Sequence, residues 1–577
     1  MNQPMPTRGA ALLFAAKAMV HQAIRIAADA FNLDLKRWPA GARRDGIHTW
    51  GESLSPLYGD GREDQRRLVL GKIENLRVAA RAIDGIEVPA NGIFSFWTQL
   101  GRPVALRGYV PGRELREGCI IPTIGGGLCQ LSNALYQAAL DASLEIVERQ
   151  AHSQVVDGSA AEAGRDATVF WNYVDLRFRD TQPFRIEARM EGGELRVAIL
   201  KTGQRQQARK ALAMLVVAAR PKPAPASCDS CGKQACFRRV ELAPSRPGRR
   251  AVFMVDGVWP EFNDWIGGER QAQDRLLLPL RKQPRYGWRS DGFARVTAFP
   301  LLTLWRALAS RWAGRDTAAR QSSSLRFRER FARAYGKALH YLDEHVVVTQ
   351  ELLPYLWQQG VLQGRSFDVL MTALPMAELQ RRLDQAYAHN PSSTTLADFR
   401  AADGLVEMEA QALRHAGRII TPHAAVAALF QNAVLLPWAQ ARPGLRPRAG
   451  GSKIVFPAST LGRKGAYELR TVARALQLRL TLMGPVLESA GFWDGVDVEQ
   501  LAAGEEHWLD GVAVVVLPAW LEGRPQRLLQ ALRAGVAVIA TPECGLPPQA
   551  NLTLVEPGDT ASLQHALARH AGALAAA

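Results

Sequence analysis

The sequence predicts an α+β domain at the front of the chain and an α/β region behind it, built from two Rossmann-type units of which the first is highly helical. Three observations carry this prediction. Residues 169–200 hold three strand-length apolar runs, the last two joined by Glu191-Gly192-Gly193, a hairpin signal. From residue 453 onward, short apolar runs alternate with helical stretches, the pattern of a parallel, doubly wound sheet. Two proline-rich breaks, at 221–225 (with Pro244 and Pro247 beyond) and at 437–450, mark domain boundaries.

The elements follow in order. Residues 1–71 are an N-terminal extension, helical over 10–20 and then loop-like, with Pro39, Gly41, Gly51, Pro56, Gly59 and Gly61 as punctuation. Lys17 breaks its apolar run, and His21 and Arg25 follow, so we expect the first helix of the folded protein rather than a signal peptide or a membrane span. Residues 72–202 form the first domain. Apolar residues recur at helical spacing over 68–83, and strands are expected at 169–178, 184–190 and 194–200. Residues 203–250 are a linker. The unit at 251–445 opens on a buried strand, 251–255, and carries short apolar runs at 346–348, 368–371 and 418–420 among helices. In the unit at 446–577, strands at 453–456, 478–482, 512–517, 536–540 and 552–555 alternate with helices. No internal repeat is present.

The chain has 577 residues, 47% apolar and 22% charged, which describes folded protein too long for one core. Six cysteines, three of them clustered, do not form a disulfide framework and suit a reducing cytoplasmic compartment. The net charge of +16 favours anionic partners such as acidic lipid head groups or diphosphates. It is spread along the chain without a long Lys/Arg block, so nucleic acid is not expected.

Three constellations carry chemistry. In the first, Gly125-Gly126-Gly127 precedes Cys129 and an amphipathic helix. Glycines permit a tight turn, and the helix start lowers a thiol's pKa. With His152 downstream, this is the layout of a cysteine nucleophile and its base; the alternative is a cysteine packed under a turn. In the second, Cys228, Cys231 and Cys236 have the spacing CxxCxxxxC, which suits zinc or an iron–sulfur cluster but lacks an evident fourth ligand. A reduced knuckle is the alternative. In the third, Glu522-Gly523-Arg524-Pro525 follows a buried strand and opens a helix, where an open α/β sheet binds ligands.

Two resemblances follow from these residues. Asn91 to Phe96, Arg107-Gly108-Tyr109, the glycine turn through Ser132, 144–153 and Arg165 to Val169 resemble the VanW family over about 72–202. Asn172 departs from it where a glycine turn is expected. The family's setting implies the bacterial cell envelope. Residues 450–560 resemble the retaining GT-B glycosyltransferases, with 250–440 a weaker match. In that resemblance Glu522 is the first of two glutamates eight positions apart, and Gln530 replaces the second. Lys464, in the turn Leu461 to Gly465, matches the diphosphate-binding lysine. Ser459 stands where the family has an arginine, for which Arg463 is the neighbouring substitute. Residues 412–422 resemble the last strand of the first half.

The expected function is therefore an envelope-related glycosyltransferase, cytoplasmic or peripheral at the inner face of the membrane, moving a sugar from a nucleotide-diphosphate donor to an envelope or lipid-linked acceptor. No Asp-x-Asp motif stands at a strand end, so metal-independent transfer is expected. The alternatives are a non-catalytic binding protein on a degenerate GT-B scaffold and thiol-dependent acyl transfer through Cys129.

Overall fold

The computed structural model describes residues 7–42, 46–58, 65–116, 119–152, 164–203, 226–227, 236–237, 249–281, 287–312, 317–397, 400–439, 451–501 and 507–575. The chain forms two compact units. The first comprises residues 1–250 with two short later segments, 339–344 and 360–365; the second comprises 251–338, 345–359 and 366–577. Most of the expected linker, 203–250, lies outside the described residues.

The first unit runs α1 (Arg8–Ala30), β1 (Ile47–Pro56), α2 (Arg66–Ile83), β2 (Ile86–Val88), β3 (Ile93–Ser95), α3 (Phe96–Leu100), β4 (Pro111–Arg116), β5 (Cys119–Ile124), α4 (Cys129–Asp141), β6 (Glu145–Glu148), β7 (Arg177–Arg179), β8 (Phe184–Glu191), β9 (Glu194–Thr202) and β10 (Ala226–Ser227). An antiparallel sheet in the order β1-β9-β8-β2 is its largest layer, with two three-stranded sheets, β10-β5-β4 and β3-β7-β6. The core joins Ile73, Leu76 and Ile83 of α2, Leu131, Leu135 and Ala138 of α4, and Ile186, Val197 and Ile199 of the sheet. Gly192 and Gly193 both have positive φ (58° and 86°) in the two-residue turn between β8 and β9, as the hairpin signal implied. The strand expected over 169–178 is interrupted. Phe170 pairs back onto Val174 around Asn172 at φ 49°, and only Arg177–Arg179 is extended strand. Asparagine tolerates that left-handed conformation, so the turn survives without glycine.

Helix α1 bears on the reading of the N-terminus as the first helix of the folded protein. It is long and apolar enough to cross a membrane by length and composition, since Lys17 and Arg25 are too few to offset the rest. Only Ala18 is buried, and Leu12, Leu13, Phe14, Met19, Val20, Ile24 and Ile26 are exposed. Its last turns are nonetheless tied to the fold: Arg25 donates to both Glu148 oxygens at 2.9 and 2.5 Å, and Arg177 donates to Asp29 at 2.7 Å.

The second unit holds two parallel sheets in succession. Its first part runs β11 (Ala251–Met254), α5 (Pro260–Glu269), β12 (Arg275–Leu278), β13 (Arg295–Ala298), α6 (Pro300–Trp312), α7 (Thr317–Ala338), β14 (His345–Thr349), α8 (Leu353–Gln358), β15 (Ser366–Leu370), α9 (Met376–His389), α10 (Asp403–Arg414), β16 (Ile419–Thr421), α11 (Ala424–Ala427) and β17 (Ala433–Leu435). Its second part runs β18 (Lys453–Phe456), α12 (Ala466–Ala475), β19 (Arg479–Leu482), β20 (Asp497–Gln500), β21 (Val512–Leu517), α13 (Gln526–Arg533), β22 (Ala537–Ala540), β23 (Leu552–Leu554) and α14 (Thr560–Ala575). The sheet orders are β13-β12-β11-β14-β15-β16-β17 and β20-β19-β18-β21-β22-β23. Each sheet grows to one side of its first strand and then to the other, so each reverses beside that strand: at β11/β14 and at β18/β21. These are the Rossmann-type units the sequence predicts. The first sheet gains β12, β13 and β17, which the apolar runs did not mark, and β17 follows the strand expected to close this half.

Candidate functional site

In the second unit, the reversal at β18/β21 places the loops after these two strands side by side, at the end of the sheet where such folds bind ligands. After β18 the chain makes a short 3-10 turn, Gly462–Lys464, closed by Gly465 at φ 75°. A Cβ on Gly465 would lie 2.0 Å from the Pro518 carbonyl oxygen, so only glycine lets the two loops approach. The Arg463 carbonyl receives the Trp520 and Leu521 N–H groups at 3.0 and 3.1 Å. The loop after β21 is thereby bonded to the loop after β18.

This brings Lys464 and Glu522 together. Lys464 Nζ donates to Glu522 Oε2 at 2.8 Å and to the Leu521 carbonyl at 3.1 Å. Glu522 Oε1 accepts the Arg524 N–H at 2.9 Å. Burial pushes the Glu522 carboxyl up, but Lys464 and the Arg524 N–H outweigh it and hold the group below its ordinary value. Gly523 follows in the turn, with Thr372 O at van der Waals distance, 3.5 Å from a Cβ position. Ser459 and Gln530, where the resemblance expects charged contacts, make no side-chain hydrogen bond to any described residue.

Sequence reasoning missed two residues here. His423 begins the helix after β16, and its Nε2 lies 2.8 Å from the Glu522 carbonyl oxygen, fixing the acidic turn from the first sheet's side. It lies one residue beyond the stretch, 412–422, that carries the resemblance. Glu488 is buried beside Gly462 and accepts its N–H at 2.8 Å. A glutamate between Leu487 and Ser489 gives no local sign of this.

In the first unit, the glycine turn seats Cys129 at the first position of α4. Gly125 and Gly127 have positive φ (79° and 97°). A Cβ on Gly127 would meet Lys72 Cγ at 2.1 Å. Buried Asn75 pins the turn by donating to the Gly126 and Val110 carbonyls at 2.9 and 3.0 Å. The segment bearing Asp166 is fastened to the same helix: the Ala167 N–H donates to Asn133 Oδ1 at 2.8 Å. Thr168 pairs with Gln150, folding Asp166 back against His152.

His152 Nδ1 stands 2.6 Å from Asp166 Oδ2, which also accepts the His152 main-chain N–H at 2.6 Å. Asp166 Oδ1 accepts Arg149 at 2.8 Å. The same imidazole lies close to Cys129, whose sulfur is 3.9 Å from Thr168 Oγ1 and from the Val169 carbonyl oxygen. Burial pushes the thiol's pKa up, but His152, Val169 and Thr168 together outweigh it, and the thiol falls below its ordinary value. His152 is raised in return, first by Cys129 and also by Asp166. Cys129 and His152, the two residues named from sequence, thus lie near one another. The third, Asp166, sat in the Arg165 to Val169 match without an assigned role.

Of the cysteine cluster, Cys228 and Cys231 lie outside the described residues; Cys236 is described and partly exposed. Among the described residues, no three His, Cys, Asp or Glu side chains converge as a metal site.

The chain thus carries a VanW-like domain ahead of two Rossmann-like sheets. Residues 71–200 match the family described as VanW like protein. Over 127 residues the chain is 35% identical to the uncharacterized protein YoaR of Bacillus subtilis, covering 22% of this chain and 41% of YoaR. Over 156 residues it is 30% identical to the vancomycin B-type resistance protein VanW of Enterococcus faecalis, covering 24% of this chain and 57% of that protein. The matches span about half the length of these relatives. Among solved structures, sucrose-phosphate synthase from Thermosynechococcus elongatus is similar at 15% identity and TM-score 0.39, over 57% of this chain and 91% of that one. The lipopolysaccharide outer core galactosyltransferase WaaB is similar at 13% identity and TM-score 0.33, over 57% and 91%. The calicheamicin glycosyltransferase CalG4 is similar at 12% identity and TM-score 0.29, over 56% and 90%.

Proposed function

We propose that this chain is an envelope-related glycosyltransferase whose second unit transfers a sugar from a nucleotide-diphosphate donor to a membrane-held acceptor, with retention at the anomeric carbon. One observation carries the reading: Lys464 and Glu522, on loops from different strands, meet at 2.8 Å at the reversal of the second sheet. A lysine there neutralises diphosphate charge, and a carboxylate beside it accepts sugar hydroxyls. Such transfer rests on positioning and charge stabilisation more than on a dedicated base. In the free protein each group holds the other in place. Arriving diphosphate would take over Lys464 and release Glu522 to the sugar. The polar Ser459 and Gln530 leave the remaining charge to Arg463.

For the acceptor side, α6 exposes Leu301, Leu304, Trp305, Leu308 and Trp312 along one face, and Arg330 of α7 lies 6.0 Å over the Trp305 ring. An exposed Leu/Trp stripe flanked by arginine suits the surface of an anionic bilayer. This supports a peripheral position at the inner face of the membrane and a lipid-linked acceptor.

The test is a thermal-shift series with UDP-, GDP- and ADP-sugars. One of them is expected to raise the unfolding temperature saturably, and Lys464→Ala to remove that shift. No shift from any donor with the parent protein would leave the second unit as a non-catalytic scaffold.

A further inference from the structure

Sugar transfer uses only the second unit and gives no reason for the first to gather a thiol, an imidazole and a carboxylate from separate backbone segments. A packing cysteine needs only to be small. Here the Asp166 carboxylate, 2% exposed, directs one oxygen at both the ring and the main chain of His152 and the other at Arg149. The imidazole that it orients is partly exposed, as is Cys129. A buried carboxylate holding a histidine against a thiol at a helix start has the organisation of an activated nucleophile.

We propose that Cys129, His152 and Asp166 form a thiol-nucleophile centre acting on the acyl group of an amide or ester. Asp166 binds Nδ1 of His152 and leaves Nε2 for the sulfur. Among the described residues, the N–H groups of Leu128 and Cys129 have no hydrogen-bond acceptor, and they stand at the positive end of α4. They are the donors for the oxyanion. The Cys129 thiolate adds to the carbonyl carbon, and the carbonyl oxygen takes the negative charge beside these N–H groups. As the C–N or C–O bond breaks, protonated His152 gives its proton to the leaving nitrogen or oxygen. The acyl group is then held as a thioester on Cys129. Water or an amine next adds to that carbonyl and gives its proton to His152, the C–S bond breaks, and the thiolate returns. No electrons are gained or lost. The depressed thiol and raised imidazole described above favour the ion pair that begins this cycle.

Two measurements on the full chain test the centre. The first is alkylation by iodoacetamide at pH 6.5, with peptide mapping and N-acetylcysteine as reference. Cys129 is expected to react about tenfold faster than the reference, and His152→Gln to bring it to the reference rate or below. The second is acylation by p-nitrophenyl acetate. The acetyl group is expected on Cys129 as a thioester, absent in Cys129→Ala and formed at least tenfold more slowly in His152→Gln. Asp166→Asn is expected to fall between parent and His152→Gln in both assays, and Lys464→Ala to leave both unchanged, which separates this centre from sugar transfer. A Cys129 in the parent that reacts no faster than N-acetylcysteine overturns the proposal, whatever the variants do. Acetylation confined to residues other than Cys129 does the same.

Discussion

Glu488→Gln tests how the second unit is held together. Among the described residues, the Glu488 carboxylate is buried and accepts from six donors and no cation. Oε1 accepts Ser393 Oγ at 2.9 Å, the Gly462 N–H at 2.8 Å and Thr395 Oγ1; Oε2 accepts the Thr394 N–H at 3.1 Å, its hydroxyl at 3.2 Å and the Tyr467 hydroxyl at 3.1 Å. It thus joins the loop after α9 to the turn that carries Lys464. Glutamine keeps the shape but replaces one oxygen with a donor. The hydroxyls can rotate to accept from it; the main-chain N–H groups cannot. One orientation strands the Thr394 N–H, and the other leaves Gly462 only its 3.1 Å bond to Thr395 Oγ1. A stranded buried donor costs about 1–3 kcal/mol, and the remaining bonds lose their charge assistance. The neutral amide is cheaper to bury, which offsets part of this. The net expectation is roughly 2–3 kcal/mol, or about 3–5 °C in the unfolding of this unit by calorimetry. The pH dependence is a second check. Burial raises the Glu488 carboxyl, but its hydrogen bonds hold it below the ordinary value of 4.5. Its stabilisation is therefore complete above the unfolded-state pKa and is lost as pH falls through the folded one. The gap between parent and variant should be full at pH 7 and narrow below about pH 4.5. A variant unfolding within a degree of the parent at pH 7, or a gap that does not shrink on acidification, would refute the reasoning.

Two further outcomes are expected. Trp305→Glu with Trp312→Glu should lower co-sedimentation with phosphatidylglycerol vesicles about tenfold while leaving the unfolding temperature unchanged, because both side chains are exposed; undiminished binding would move the membrane contact elsewhere, with α1 the next surface to test. Protein purified under reducing conditions should carry about one zinc, or an iron–sulfur chromophore, on Cys228, Cys231 and Cys236; three freely titrating thiols and no stoichiometric metal would remove that assignment.

What was legible in the sequence was whatever a short stretch determines by itself. The glycine turns at 125–127 and 462–465 announce tight loops because few other residues fit them, and each loop carries its functional group one or two residues away. The hairpin at 192–193 is of the same kind. Strands β13 and β17 lie at the two edges of the first sheet and are only partly buried, so they carry no continuous apolar run, while the short buried β12 stands in a region whose pattern otherwise reads as helical. Over 169–178 the aromatic residues do favour a strand, but the chain turns at Asn172, and a non-glycine left-handed residue leaves little trace in composition. Asp166 shows the remaining limit. Nothing near it marks it as a partner of His152; the pairing of Thr168 with Gln150 brings it back across fourteen residues. His423 and Glu488 reach their partners from 99 and 26 residues away. In both candidate sites the residues that would touch substrate, Cys129 with His152 and Lys464 with Glu522, are named from sequence, and the residues that hold them, Asp166 and His423, are not. A motif read from sequence therefore identifies the reacting groups, and the fold adds the residues that hold and orient them.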